Sequence, residues 1–121
     1  MSRRRLDAGQ AAVELALTLP LVLVMLLGVV QVLVIVRAQI AVTHAAREGA
    51  RAGAVAADSA AAASAAARGA VTLTSLQIST TESAGRVRTE VSARVPTDIP
   101  IIGAFVGDVS VRAVAVMAVE P

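Results

Sequence analysis

The stretch that decides the fold is Gly9-Gln-Ala-Ala-Val-Glu14, continued by Leu15-Ala-Leu-Thr-Leu-Pro-Leu-Val-Leu-Val-Met-Leu-Leu-Gly-Val-Val-Gln-Val-Leu-Val-Ile-Val36. Residues Leu15 to Val36 hold 22 positions without a charge. About 20 apolar residues, at ~1.5 Å each, carry a helix across a bilayer core. The run therefore predicts a membrane-crossing helix. Thr18 can place its hydroxyl on a backbone carbonyl, and Pro20 removes one backbone hydrogen bond, which membrane helices tolerate. Gln31 is placed to reach the far interface or a neighbouring helix. One carboxylate, Glu14, stands at the mouth of the run, five residues after Gly9.

Upstream lie Arg3, Arg4 and Arg5. A secretory signal has an apolar region of about 7–15 residues and a small-residue cut site. This run is longer, and no such site follows it. The leader also brushes the twin-arginine pattern, but Asp7 stands where that pattern wants an apolar residue. Three Arg precede the run and three more follow within about 15 residues, at 37, 47 and 51, so the positive-inside comparison is a tie. The tight cluster and short leader favour an N-terminus in the cytoplasm and translocation of the longer part.

Composition bounds the rest. A chain of 121 residues makes one small domain. Phe105 is its one aromatic residue, so the body outside the membrane is thinly cored by Ala and Val and leans towards a partner. There is no Cys, which excludes disulfides and thiolate metal sites, and a single His44 builds no metal cluster. No cofactor is expected. Beyond residues 1–9, eight Arg face eight acids, which argues against nucleic-acid binding by bulk charge.

Past Arg37 the helical signal continues through an Ala-rich stretch to about residue 57. Ile40, Ala41, His44, Ala45 and Glu48 share a face by spacing. Gly49 and Gly53 form a small-xxx-small pair that either admits another helix closely or merely weakens the helix end. Asp58-Ser59 predicts a helix start before Ala60–Arg68, with Gly69 as its stop. From residue 71 the period becomes two. Leu76 and Ile78 mark one strand, and Val87, Thr89, Val91, Ala93 and Val95 the buried side of a second. Val109, Val111 and Ala113 open a third. Glu82–Gly85 reads as a turn, and 96–108, with two Pro and two Gly, as a loop. Its Ile99, Ile101, Ile102, Phe105 and Val106 are too apolar for idle exposure; they cap the core or meet a partner.

The fold class is therefore α+β: a long N-terminal transmembrane helix continuing beyond the membrane, a short second helix and a small three-stranded antiparallel sheet. Such a sheet needs a helix across one face, supplied by the second helix or the outer half of the first. The parts are a leader at 1–9, the extended helix at 10–57, and a small extracytoplasmic head at 58–121. No enzyme is expected. The serines sit in caps and strands, and His44 with Glu48 one turn on makes a surface pair rather than a dyad. No phosphate loop or metal-ligand spacing occurs.

The short basic leader, Gly9, and Glu14 at the head of an apolar helix together resemble the type IV prepilin pattern. Within that group the chain resembles the TadE-like minor pseudopilins of the tight-adherence (Flp) pilus system. The shared residues are Gly9–Glu14, Leu19-Pro20, and Ala45-Ala46-Arg47-Glu48-Gly49-Ala50-Arg51. The resemblance covers about the first 57 residues, and it implies a pilin-like fold. It further implies a prepilin peptidase that cuts between Gly9 and Gln10, leaving Glu14 as the fifth mature residue. Gly suits such a site because it lets backbone approach closely. Gln10 stands where many prepilins have Phe or Met, which puts methylation of the new terminus in doubt, although Gln is usual in the TadE-like group. A charge deep in a bilayer costs roughly 2.5–3.5 kcal/mol or more. Glu14 is either an interfacial flank or, in a helical bundle, the partner of a neighbour's freed Gln10 amine, setting axial register.

The expected function is a structural one. A processed pseudopilin sits in the inner membrane with its N-terminus inside, or in an extracellular pilus. Its partners are the membrane, the prepilin peptidase, other pilin and pseudopilin subunits and the tight-adherence machinery. The alternative is an uncut, membrane-tethered binding module with an extracytoplasmic head. A secreted protein with a long signal peptide is the third reading.

Overall fold

Nothing between Ser2 and Val55 stops a helix except Pro20, and the chain forms a single helix over that whole length. The computed structural model describes residues 2–121, with side-chain exposure from Asp7 onward. Met1 and the side chains of the leader arginines Arg3, Arg4 and Arg5 lie outside the described residues. Helix α1, Ser2–Val55, has 54 residues and runs through Pro20 unbroken. At ~1.5 Å per residue it is a rod of about 80 Å. Thr18 Oγ1 donates to the Leu15 carbonyl oxygen at 3.2 Å, as its position suggested.

Three residues of bend separate α1 from α2, Ser59–Ala70. Asp58 caps α2: its Oδ1 accepts from the Ala61 amide at 3.0 Å. Such a cap contributes about 1 kcal/mol. Gly69 is not the stop the sequence suggested. The helix continues to Ala70 and ends where Val71 turns extended, with φ −143°.

Strands β1, Leu76–Ser83, β2, Arg86–Val95, and β3, Val109–Ala118, form one antiparallel sheet in the order β1-β2-β3. Register pairs Ile78 with Val91 and Val91 with Ala113. Glu82 and Ser83 stay in β1, so the first turn narrows to Ala84-Gly85, with φ +51° and +71°. Two positive φ values make the primed turn whose twist suits a hairpin. The 96–108 connection contains one short helix, α3, Ile102–Val106.

The five alternating residues of β2 named above, Val87 to Val95, are all buried. They face a helical layer in which α1 lies over β2 and β3, and α2 lies over β1. The core joins Ala38, Val42, Ala45, Ala46 and Ala67 to Val91, Ala93, Val95 and Val111. Its largest fully buried side chains are Val and Thr, so it is thin, as the missing aromatics implied. The face of α1 that enters it is Ala38, Val42, Ala45, Ala46, Gly49, Ala50, Gly53 and Ala54. Of the residues that share a face by spacing, Ala45 is buried, Ala41 and Glu48 are half-buried, and Ile40 and His44 are exposed, Ile40 by 65%. The sheet sits close to the helix, and only the Ala and Gly stripe lets it do so. Residues 58–121 thus share one core with the outer half of α1. The Glu120 amide donates to the Ala54 carbonyl oxygen at 3.1 Å, occupying an acceptor that the helix end leaves open.

Candidate functional site

Two segments of α1 carry the residues singled out from the sequence, and they lie in different surroundings. At the N-terminal end, Gly9, Gln10 and Glu14 are exposed. A Cβ built on Gly9 would meet nothing within 4 Å, so the backbone there is open to an approaching protein. Gly9 is helical, and a glycine inside a helix weakens it by roughly 0.5–1 kcal/mol relative to Ala, which eases local unwinding. Gln10 and Glu14 stand four residues apart and therefore on one face, about 6 Å apart along the axis. Among the described residues the ion pairs join Glu90 to Arg88 and Arg112, at 3.6 and 3.2 Å, and none involves Glu14.

From Gln10 to Val30 the helix is largely exposed, with Val24, Leu27 and Gly28 half-buried. It is the one helix among the described residues long and apolar enough to cross a membrane, and only 6% of its most apolar 18-residue window is buried. A helix that lies bare in this way is unlike the core helix of a soluble domain, and it is compatible with a single membrane pass.

The second segment, Ala45–Arg51, splits into two faces. Ala45, Ala46, Gly49 and Ala50 are buried, while Arg47 and Arg51 are exposed and Glu48 is half-buried. The small side is where α2 and β2 dock. A Cβ on Gly49 would lie 3.0 Å from Thr89 Cγ2 and 3.1 Å from the Ala63 carbonyl oxygen. On Gly53 it would lie 2.9 Å from the Ser59 carbonyl oxygen and 3.0 Å from Val87 Cγ1. The helix that this small-xxx-small pair admits is therefore α2 of the same chain. His44 and Glu48 form no ion pair. Among the described residues no three His, Asp or Glu gather as metal ligands.

Gln31 takes a place that the sequence did not reveal. It is 4% exposed, and its Nε2 donates to Thr97 Oγ1 at 3.1 Å. The Thr97 hydroxyl in turn donates to the Gly107 carbonyl oxygen. One polar residue at the end of the bare helix thus ties down both ends of the 96–108 connection. Beside this anchor, an open groove runs between α1 and the two chain segments 70–75 and 94–99, lined by Val34, Ala41, His44, Leu73 and Ile99 among others.

Residues 9–51 match the family model of the TadE-like proteins. The match begins on Gly9 and ends on Arg51, so it takes in the open glycine, the bare helix and the small-residue segment. This N-terminal part of the chain is thus similar to the TadE-like proteins. No curated protein and no solved structure matches the chain.

Proposed function

We propose that this protein is a minor pseudopilin of a tight-adherence pilus system, anchored by α1 before assembly and packed through it afterwards. The observation that carries the reading is the TadE-like segment, whose bounds coincide with the open Gly9 and the head-docking Arg51 segment. Its role is structural, not enzymatic. A prepilin peptidase cuts between Gly9 and Gln10. The N-terminus faces the cytoplasm, and the head lies across the inner membrane from it.

The dimensions agree with this account. From Gln10 to Gln31 the helix rises about 32 Å, close to the ~30 Å thickness of a hydrocarbon core. After the cut, the new amine stands at one boundary, with the Glu14 carboxylate about one turn inside. Packed against other pilin subunits, Glu14 meets a neighbour's amine, and that pairing offsets the desolvation of both charges.

The deciding experiment is the intact mass of protein extracted from membranes. Loss of Met1–Gly9 alone supports the reading. A full-length mass overturns it and favours an uncut, membrane-tethered binding module, for which the groove beside His44 and Leu73 is the observation in hand. A cut beyond Val36 would instead mean secretion.

A further inference from the structure

We propose that the segment Ile99–Val106 rests in the bilayer interface, on the side opposite the leader, as a second membrane contact beside α1. This rests on the reading of α1 as a membrane span.

Position comes first. Gln31 holds Thr97, and Thr97 holds Gly107, so the segment between them is fixed at the level of Gln31. The rest of the head extends away from that level. Gln39 Nε2 donates to the Arg112 carbonyl oxygen at 2.8 Å, and Glu120 meets Ala54 at the far end. The 96–108 connection is therefore at the membrane-proximal end of the sheet.

The bilayer boundary falls at the same level. A hydrocarbon core takes about 20 helical residues. Counted from Gln10 its far edge is near Val30, and counted from Leu15 it is near Val34. Val32, Leu33, Val34 and Val36 are still exposed there, on the sides of α1 that the head leaves bare.

Composition fits an acyl-chain boundary. Residues 99 to 107 carry no charge, and Asp98 and Asp108 stand just outside them. Phe105, the chain's only aromatic residue, is 85% exposed, and Ile101 is 55% exposed. Apolar residues in such a cluster, continuous with a lipid-facing helix, are covered most simply by the same lipid.

The backbone is also held against its preference. Ile101 has φ +71°, a left-handed conformation that β-branched residues rarely adopt. Gly103 packs against the Thr97 carbonyl oxygen with no room for a Cβ. The anchored ends thus keep Ile101 and Phe105 pointing outward, although turning them into the thin core would bury them. Strain of this kind collects at functional surfaces.

The chain has no Trp or Tyr, so one substitution gives one fluorophore. Full-length Phe105→Trp would be placed in phosphatidylcholine–phosphatidylglycerol vesicles, with and without lipids brominated on the acyl chains. Leu23→Trp at mid-span and Val55→Trp at the far end of α1 are the references. Contact with the interface predicts loss of Phe105→Trp emission in brominated lipid, a larger loss for Leu23→Trp, and none for Val55→Trp. Unquenched Phe105→Trp beside quenched Leu23→Trp overturns the loop contact and leaves the span standing. Phe105→Trp shielded from both brominated lipid and aqueous acrylamide also overturns it, in favour of a protein neighbour. If neither Phe105→Trp nor Leu23→Trp is quenched, the loop contact and the span both fail.

Discussion

Thr89 sits at the centre of the sheet's inner face, fully buried, with its Cγ2 against Gly49 and its hydroxyl without a hydrogen-bond partner. A buried polar group left unsatisfied costs about 1–3 kcal/mol. Thr89→Val keeps the shape and removes that hydroxyl, so it should raise the midpoint of thermal unfolding in detergent. A lowered midpoint would mean the hydroxyl has a partner in solution. Glu14 is the opposite case, a charged residue exposed on the helix surface. Glu14→Ala should be processed like the parent protein yet enter filaments poorly, as read by the fraction of the protein recovered in sheared pili. Unchanged recovery would return Glu14 to the role of an interfacial flank.

At the scale of elements, the closest contact is the one α1 makes with α2. The Gly53 position leaves no space for a methyl group, because the obstruction is the Ser59 backbone rather than a flexible side chain. Gly53→Ala should push α2 away and destabilise the head by about 1–3 kcal/mol, measured by urea unfolding in micelles. Unchanged stability would show that α2 shifts freely. These elements differ in how far their sequences announced them. Strand β2 was legible residue by residue, because a period of two is a local signal that burial of one face imposes directly. The Asp58 cap was legible for the same reason. The buried face of α1 was not: Ile40 has the bulk of a core residue, but β2 approaches too closely to accept it and selects the Ala and Gly stripe. Gln31 was harder still, since its partner Thr97 lies 66 residues away and no local pattern joins them. The partner of Gly49 and Gly53 likewise required the fold.

At the scale of the whole molecule, a single helix, Ser2–Val55, passes through both the bare apolar stretch and the head. Gly9→Val should leave the leader attached, because a branched side chain closes the one open point of backbone ahead of the span. Its mass would then remain that of the full chain, and its assembly should fail. Normal assembly of that variant would remove Gly9 as the processing site.

The outer half of α1 also belongs to the sheet's core, from Ala38 to Ala54, with Gln31 fastened to Thr97 below it. Mechanically, this leaves no compliant joint between rod and head. A pull on either is carried across the interlocked small side chains rather than through a tether that stretches. A twist of the rod about its long axis likewise turns the sheet by the same angle. Axial position and azimuth of the head are thus both set by the rod, and a force applied to the head alone reaches the apolar stretch without slack.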